Sequence, residues 1–273
     1  MYSKFQNPLR KKWQSNQSAY GLWITMESAT ITELAADAEI DWILIDMEHG
    51  SLSYRDVLDH LRAARGTDMA VLVRVPTATI DTIKRSLDLG AHGILLPLIA
   101  TAGELEDAFT HARYPLQGKR GLGGERAIRW GAEMASYVAV ANQETLVIPV
   151  IESHEAFENI DHILAVPGLE AIFYGPSDFS QSRGHMAVWE GPGIAEDILN
   201  MAEKAKTRGI INGVIATDDH NISLRKQQGF KMIGIGTDTS LMRRTILSSL
   251  KTCHNEKHQL KGDSNSVKIH HDV

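Results

Sequence analysis

Eight short apolar runs recur along this chain: YGLWIT, DWILIDM, AVLVRVP and HGILLPLI, then TLVIPVIE, EAIFYGP, INGVIA and KMIGIGT. They are near-continuous rather than alternating, as a parallel strand covered on both faces requires. Most of the stretches between them are amphipathic and long enough to hold a crossover helix, which is the signature of repeated βα units. Eight such units within 273 residues predict an α/β protein, a (β/α)8 TIM barrel. A doubly wound sheet of six strands is the alternative, with the first and seventh runs, the weakest two, demoted.

No Pro/Ser-rich linker interrupts residues 20–250, and 43% of the chain is hydrophobic, so one barrel domain is expected over residues 1–250. Residues 6–16 are expected to form a helix closing the bottom of the barrel. Residues 251–273 are polar, with histidines at 254, 258, 270 and 271, and are expected to be a disordered tail. No run approaches the roughly 20 apolar residues that span a bilayer. The start, MYSKFQNPLRKKWQSNQ, lacks the apolar centre of a signal peptide. Cys253 is the single cysteine and can form no internal disulfide, which fits a reducing, cytoplasmic setting. A net charge of -6 argues against a nucleic-acid partner, which needs a basic face.

The C-terminal ends of the expected strands collect polar groups. Asp46, Glu48, His49 and Gly50 end the second, and Arg74 the third. Glu152 ends the fifth, the sixth leads to Gly175, Pro176, Ser177 and Asp178, and Asp238 follows the eighth. Parallel α/β proteins build their sites at these ends. Glu152 and Asp178 come from successive strands, and two carboxylates opening onto one face suit a hard divalent cation. Taken singly, each acid reads better as a helix cap, since Ser153 and Ser177 stand beside them. The whole set asks for more, because charges on buried strands are costly unless paired or liganded. A ring of salt bridges, with Arg74 against Asp46 or Asp178, accounts for one pair. A metal-plus-anion site accounts better for the rest.

The segments IDMEHGSLSY, VLVRVP, IKRSLDLGAHGILLP, GKRGLGGERAIRW, VIESHEAFENIDHILAVPGLEAIFYGPSDFS and GIGTDTSLM follow in this order. With them, residues 7–250 resemble the HpcH/HpaI aldolase and citrate lyase family, the class II pyruvate-dependent aldolases, which also contains macrophomate synthase. The resemblance implies a divalent cation, Mg²⁺ or Mn²⁺ or a similar ion, held by Glu152 and Asp178 and chelated by the carboxylate and keto oxygens of a 2-oxo acid such as pyruvate or oxaloacetate. It implies that Arg74 contacts the keto oxygen and the developing enolate. His49 is implied as the acid/base, with Asp46 supporting the cluster and Asp88 assisting, often across a subunit boundary. Backbone amides around Gly175, Pro176, Ser177 and Asp178 are implied to hold the substrate carboxylate. A homo-oligomer is also implied, a hexamer or trimer, with TSLMRRTILSSL packing on a neighbour.

The implied chemistry is sound from first principles. A carbanion beside a carbonyl needs negative charge stabilised on the keto oxygen, which a Lewis-acidic cation and a fixed guanidinium both do. Histidine, titrating near about pH 6.5 when unperturbed, suits proton transfer. Oxygen ligands without cysteine favour Mg²⁺ or Mn²⁺ over structural zinc.

Two positions depart from the family's pattern: Val150 and His92 each stand where Gln is common. His92 begins the fourth strand, toward the barrel's bottom. It reads either as a packed neutral histidine or as the counterpart of a macrophomate synthase histidine that helps bind a pyrone. GLGGER lacks the Gly-Lys-Ser/Thr of a P-loop and reads as a lid or subunit contact, with Lys119, Arg120 and Arg126 placed to meet an anionic substrate. Trp23 and Trp130 read as packing residues. Ser177 and Ser180 lack triad partners, and only Lys231 stands on a strand, which disfavours acyl and Schiff-base chemistry. The leading expectation is reversible aldol cleavage of a 4-hydroxy-2-oxo acid to pyruvate and an aldehyde. The alternatives are oxaloacetate decarboxylation with carbon–carbon bond formation to a 2-pyrone, and a weakly active metal-binding barrel serving as an interaction module.

Overall fold

Each of the eight apolar runs forms a strand that pairs in parallel with the next, until the last meets the first in a closed barrel. The structure is a computed structural model that describes residues 5–186 and 188–263. The strands are β1 (Ala19–Ile24), β2 (Trp42–Asp46), β3 (Ala70–Arg74), β4 (Gly93–Leu96), β5 (Leu146–Ile151), β6 (Ala171–Tyr174), β7 (Ile211–Ile215) and β8 (Met232–Thr237). Helix α1 (Pro8–Gln14) precedes them. Through the first half follow α2 (Thr30–Asp37), α3 (Tyr54–Ala63), α4 (Ile80–Asp88), α5 (Ala102–Ala112) and α6 (Met134–Glu144). The second half carries α7 (His154–Glu158), α8 (Ile160–Ile163), α9 (Pro176–Ser182), α10 (Ile194–Thr207), α11 (Asp219–Gln227) and α12 (Asp238–Asp263). A short 3-10 turn, Arg126–Ile128, lies between α5 and α6.

The strand period of two divides each run between two cores. Trp42 and Leu44 on β2, Ala70 and Leu72 on β3, Leu146, Ile148 and Val150 on β5, and Phe173 on β6 fill the barrel interior. Their neighbours Ile43, Ile45, Val71, Val73, Val147, Ile151 and Ile172 face outward against the helices. Both faces of these strands are therefore largely apolar. The two weakest runs, β1 and β7, owe their weakness to glycines that the interior requires. Gly21 sits in register beside Trp42, and a Cβ on it would lie 1.9 Å from the indole ring. Both runs are full barrel strands, which excludes the six-stranded sheet.

The expected bottom helix is α1, narrower than residues 6–16. Its Leu9 is buried with the interior cluster. Asn7 caps it, accepting from the Leu9 amide while its Nδ2 donates to the carbonyls of His92 at 2.8 Å and Glu144 at 3.0 Å. At the opposite end Asp238 closes the seam between β8 and β1, accepting from the Thr25 and Met26 amides, both at 2.9 Å. The expectation of a disordered tail from residue 251 is corrected for residues 251–263, which continue α12. Glu256, Lys257, Gln259 and Leu260 are good helix formers, so nothing in that stretch ends the helix early. The remainder, 264–273, lies outside the described residues. No helix among the described residues is long and apolar enough to cross a membrane.

Candidate active site

The alternation that fills the interior also aims the polar strand ends. Continuing the inward-facing series one step brings β2 to Asp46, β3 to Arg74 and β5 to Glu152, so all three side chains turn into the C-terminal mouth. There they line a cavity of about 290 Å³ with His49 and with Gly175, Pro176, Ser177 and Asp178 at the start of α9. Asp46 and Arg74 are register partners. Arg74 donates to Asp46 from Nε at 2.9 Å and from Nη2 at 2.5 Å. Trp23 Nε1 donates to the same carboxylate at 3.0 Å, and the Arg74 guanidinium lies 4.8 Å from the Trp23 ring centre. The amides of Glu48 and His49 donate to Asp46 Oδ1, which fixes the turn that presents the exposed His49.

Charge at this mouth is unbalanced. Arg74 Nη1 also approaches Glu48 Oε2 at 2.8 Å, so one guanidinium serves two carboxylates. Burial alone would raise the Asp46 pKa, but the hydrogen bonds and charge of Arg74 outweigh it and hold the group below the ordinary carboxylate range. Glu48 goes the other way: burial raises it, and the charges of Asp46 and Asp178 add to that despite Arg74. Glu152, 4% exposed, is pushed up to about 7, mainly by burial and further by Glu48 and Asp178. Among the described residues its hydrogen-bond partner is the Leu98 amide, which donates to Oε1 at 2.7 Å. Gly175 makes room for this carboxylate, since a Cβ there would stand 2.7 Å from Glu152 Oε2.

A model of the HpcH/HpaI aldolase/citrate lyase family matches residues 19–245. The chain belongs to that family. Over 224 residues it is 35% identical to a 4-hydroxy-2-oxovalerate aldolase of Novosphingobium aromaticivorans, covering 80% of this chain and 84% of the relative. A hydroxypyruvate/pyruvate aldolase of Roseobacter denitrificans is 30% identical over 241 residues, 88% of this chain and 94% of that one. The crystal structure of an HpcH/HpaI aldolase/citrate lyase family protein from Burkholderia cenocepacia J2315 superposes with a TM-score of 0.87 at 30% identity, covering 91% of this chain and all of the other. This HpcH/HpaI family member is an enzyme, a lyase of the aldolase kind.

The family match embraces every residue of the mouth, yet the fold does not bring all the expected site residues there. His92 of this HpcH/HpaI member sits at the N-terminal end of the barrel, just before β4. Its Nδ1 accepts from the Val71 amide at 3.0 Å, and burial lowers its pKa to about 4. The packed, neutral histidine is therefore the reading that its position within one chain supports. Asp88 ends α4, again at the N-terminal end, and is bound by Arg120 at 2.9 Å rather than facing His49 of its own chain. Arg120 is 1% exposed and stacks on Tyr114, while Arg126 donates to the carbonyls of Leu61 and Leu89. Neither is placed to meet a substrate at the mouth. Trp130 is 68% exposed and is not a core residue.

Two tryptophans also join the site. Trp23 packs in the interior as expected but also orients Asp46. Trp189, from the segment between α9 and α10, lines the cavity. Nothing periodic marks that segment, so no signal in the sequence points to it.

Proposed function

We propose that this protein is a divalent-metal-dependent aldolase that cleaves a 4-hydroxy-2-oxo acid reversibly to pyruvate and an aldehyde. The observation that carries the reading is the surplus of carboxylates at the mouth: Asp46, Glu48, Glu152 and Asp178 face one guanidinium. Asp46 is matched by Arg74, whereas Glu152 and Asp178 have no basic partner among the described residues. No group of three or more His, Cys, Asp or Glu side chains fit to hold a metal occurs among the described residues. Two carboxylates are nonetheless the usual protein share for Mg²⁺, which keeps waters and substrate oxygens in its other positions. Glu152 and Asp178 fit that donor set, and the hard oxygen ligands favour Mg²⁺ or Mn²⁺.

When bound, such a cation supplies Lewis-acid stabilisation of negative charge on the keto oxygen. The chain's own residues do the rest. Arg74, locked by Asp46 and flanked by Trp23, holds a fixed positive charge beside that oxygen. Amides in the first turn of α9, at Ser177 and Asp178, hold the substrate carboxylate. His49, exposed and without a side-chain hydrogen bond among the described residues, exchanges the proton. In cleavage the 4-hydroxyl loses its proton, the C3–C4 bond breaks, the aldehyde departs and the electron pair remains on the pyruvate enolate, which is then protonated at C3.

Asp88 reaches a His49 only from another copy of the chain, since the two lie at opposite ends of one barrel. The exposed apolar row Met242, Ile246, Leu247 and Leu250 on α12 supports a homo-oligomer. Its single cysteine suits a cytoplasmic setting.

The test is pyruvate release from a 4-hydroxy-2-oxo acid with Mg²⁺, with chelator and in a Glu152→Gln variant. Activity only in the metal-supplied wild type is expected. Full turnover in chelator, or in the variant, would overturn the metal-dependent reading.

A further inference from the structure

Charged and apolar groups occupy different halves of the barrel mouth. Asp46, Arg74 and Glu152 come from β2, β3 and β5, and Asp178 follows β6. From β6 round to β1 the lining turns apolar, with Phe173, Ile215 and Trp23, and Trp189 joins them. The two threonine hydroxyls on that side are engaged within the protein. Thr25 Oγ1 donates to Asp238 at 2.7 Å, and Thr237 Oγ1 accepts from the Ser240 amide at 2.9 Å. Among the described residues no Lys, and no Arg besides Arg74, lines the cavity. Arg74 itself is occupied by Asp46 and Glu48.

Trp189 is held in place by the two residues that follow it in the chain. Glu190 forms an ion pair with Arg225, which is 1% exposed. The Gly191 amide donates to Ser180 Oγ at 2.9 Å, and Ser180 is fully buried. Gly191 also lies against the His185 ring, so closely that a Cβ there would stand 2.3 Å from Cγ. The indole Nε1 is buried with no hydrogen-bond partner among the described residues, so anchored backbone and packing set the ring's position.

We propose that Trp189 and this apolar half of the mouth select the aldehyde, favouring a neutral one with an aromatic or branched apolar substituent over polyhydroxylated or anionic ones. The inference rests on the aldolase reading above and names the substrate class of that same site. A polyol drawn against this wall leaves hydroxyls desolvated and unpaired, each costing its lost hydration. A carboxylate or phosphate finds no free cation there. An aromatic ring gains burial and edge or offset contact with the indole. In the addition direction the enolate C3 bonds to the aldehyde carbon, and the aldehyde oxygen takes up a proton to become the 4-hydroxyl.

The experiment separates the two halves of the reaction in the full-length protein with Mg²⁺. Exchange of pyruvate methyl protons for deuterium, followed by NMR without aldehyde, tests the donor half. Addition of pyruvate to benzaldehyde, isobutyraldehyde, glyceraldehyde and succinic semialdehyde then tests the acceptor half. Benzaldehyde is expected to exceed glyceraldehyde and succinic semialdehyde about tenfold or more in kcat/KM. Trp189→Ala should shrink that ratio about tenfold, and Trp189→Phe should keep it. Ratios between aldehydes within one variant do not depend on how much of it is folded. Exchange in the wild type with the polar aldehydes preferred, or an unchanged ratio in Trp189→Ala, would overturn this inference alone. No exchange at all would overturn the aldolase reading and this inference with it.

Discussion

Asp46 and Arg74 stand side by side on adjacent strands, joined by two hydrogen bonds at 2.9 and 2.5 Å, with side chains only 2% and 8% exposed. The pair serves structure and chemistry together. A lysine at 74 keeps the charge but cannot grip the carboxylate in the same forked way. Arg74→Lys is expected to lower kcat about 10²-fold, the cost of losing one preorganised donor of about 3 kcal/mol. Arg74→Ala strands a buried Asp46 and should cost about 3–5 kcal/mol of stability. The double variant Arg74→Ala/Asp46→Ala should be more stable than Arg74→Ala alone, which a double-mutant cycle in urea measures.

Glu152 makes the metal-free protein sensitive to base. Its pKa is about 7 in the fold, raised above the ordinary 4.5 by burial first and neighbouring carboxylates second. Between those values the native state keeps a proton that the unfolded chain has released. Stability from this group is thus complete below about pH 4.5 and is lost as pH rises through 7, by about 3 kcal/mol in all. Melting curves in chelator should show Glu152→Gln gaining on the wild type from pH 5.5 to pH 8. Mg²⁺ at pH 8 should stabilise the wild type and not the variant, and its affinity should fall as pH drops below 7, because the ligand must be deprotonated. Equal pH slopes for the two proteins would contradict the assignment.

Much of this was legible in the chain. A parallel strand buried on both faces has to be a continuous apolar run, so eight runs announce eight strands, and a charge at a run's end stands out. Strand parity then decides which charges face inward: Asp46, Arg74 and Glu152 each lie two residues past an interior side chain. Less legible were contacts between distant segments with no periodicity of their own. Trp189 on an irregular connection, the Leu98 amide on Glu152, and Asp238 stitching β8 to β1 are of that kind. The length of α12 is hidden by its polarity, which resembles that of a disordered segment although its residues favour a helix.

Gly175 tests how tightly the mouth is built. Its missing Cβ is what allows Glu152 Oε2 to stand where it does, 2.7 Å from the place that Cβ would occupy. Gly175→Ala must push the carboxylate aside, since the strand end on which it rests is fixed by the ladder. An overpacking cost of about 1–3 kcal/mol is expected in stability. Titration calorimetry with Mn²⁺ should show affinity falling about tenfold or more, as for other disturbances around a metal ligand. Unchanged affinity would mean that Glu152 holds no metal.

His92 should behave as a packing residue. Its Nδ1 takes the Val71 amide proton, and burial holds its pKa near 4, below the usual 6.5. Because the folded pKa is depressed, its contribution to stability is intact above about pH 6.5 and is lost as pH falls through 4, opposite in sign to Glu152. His92→Ala leaves that amide without its partner, at about 1–3 kcal/mol. The variant should therefore melt earlier at pH 7 while kcat/KM of the folded fraction stays that of the wild type. A drop in kcat with unchanged melting would return His92 to the chemistry and contradict its place at the far end of the barrel.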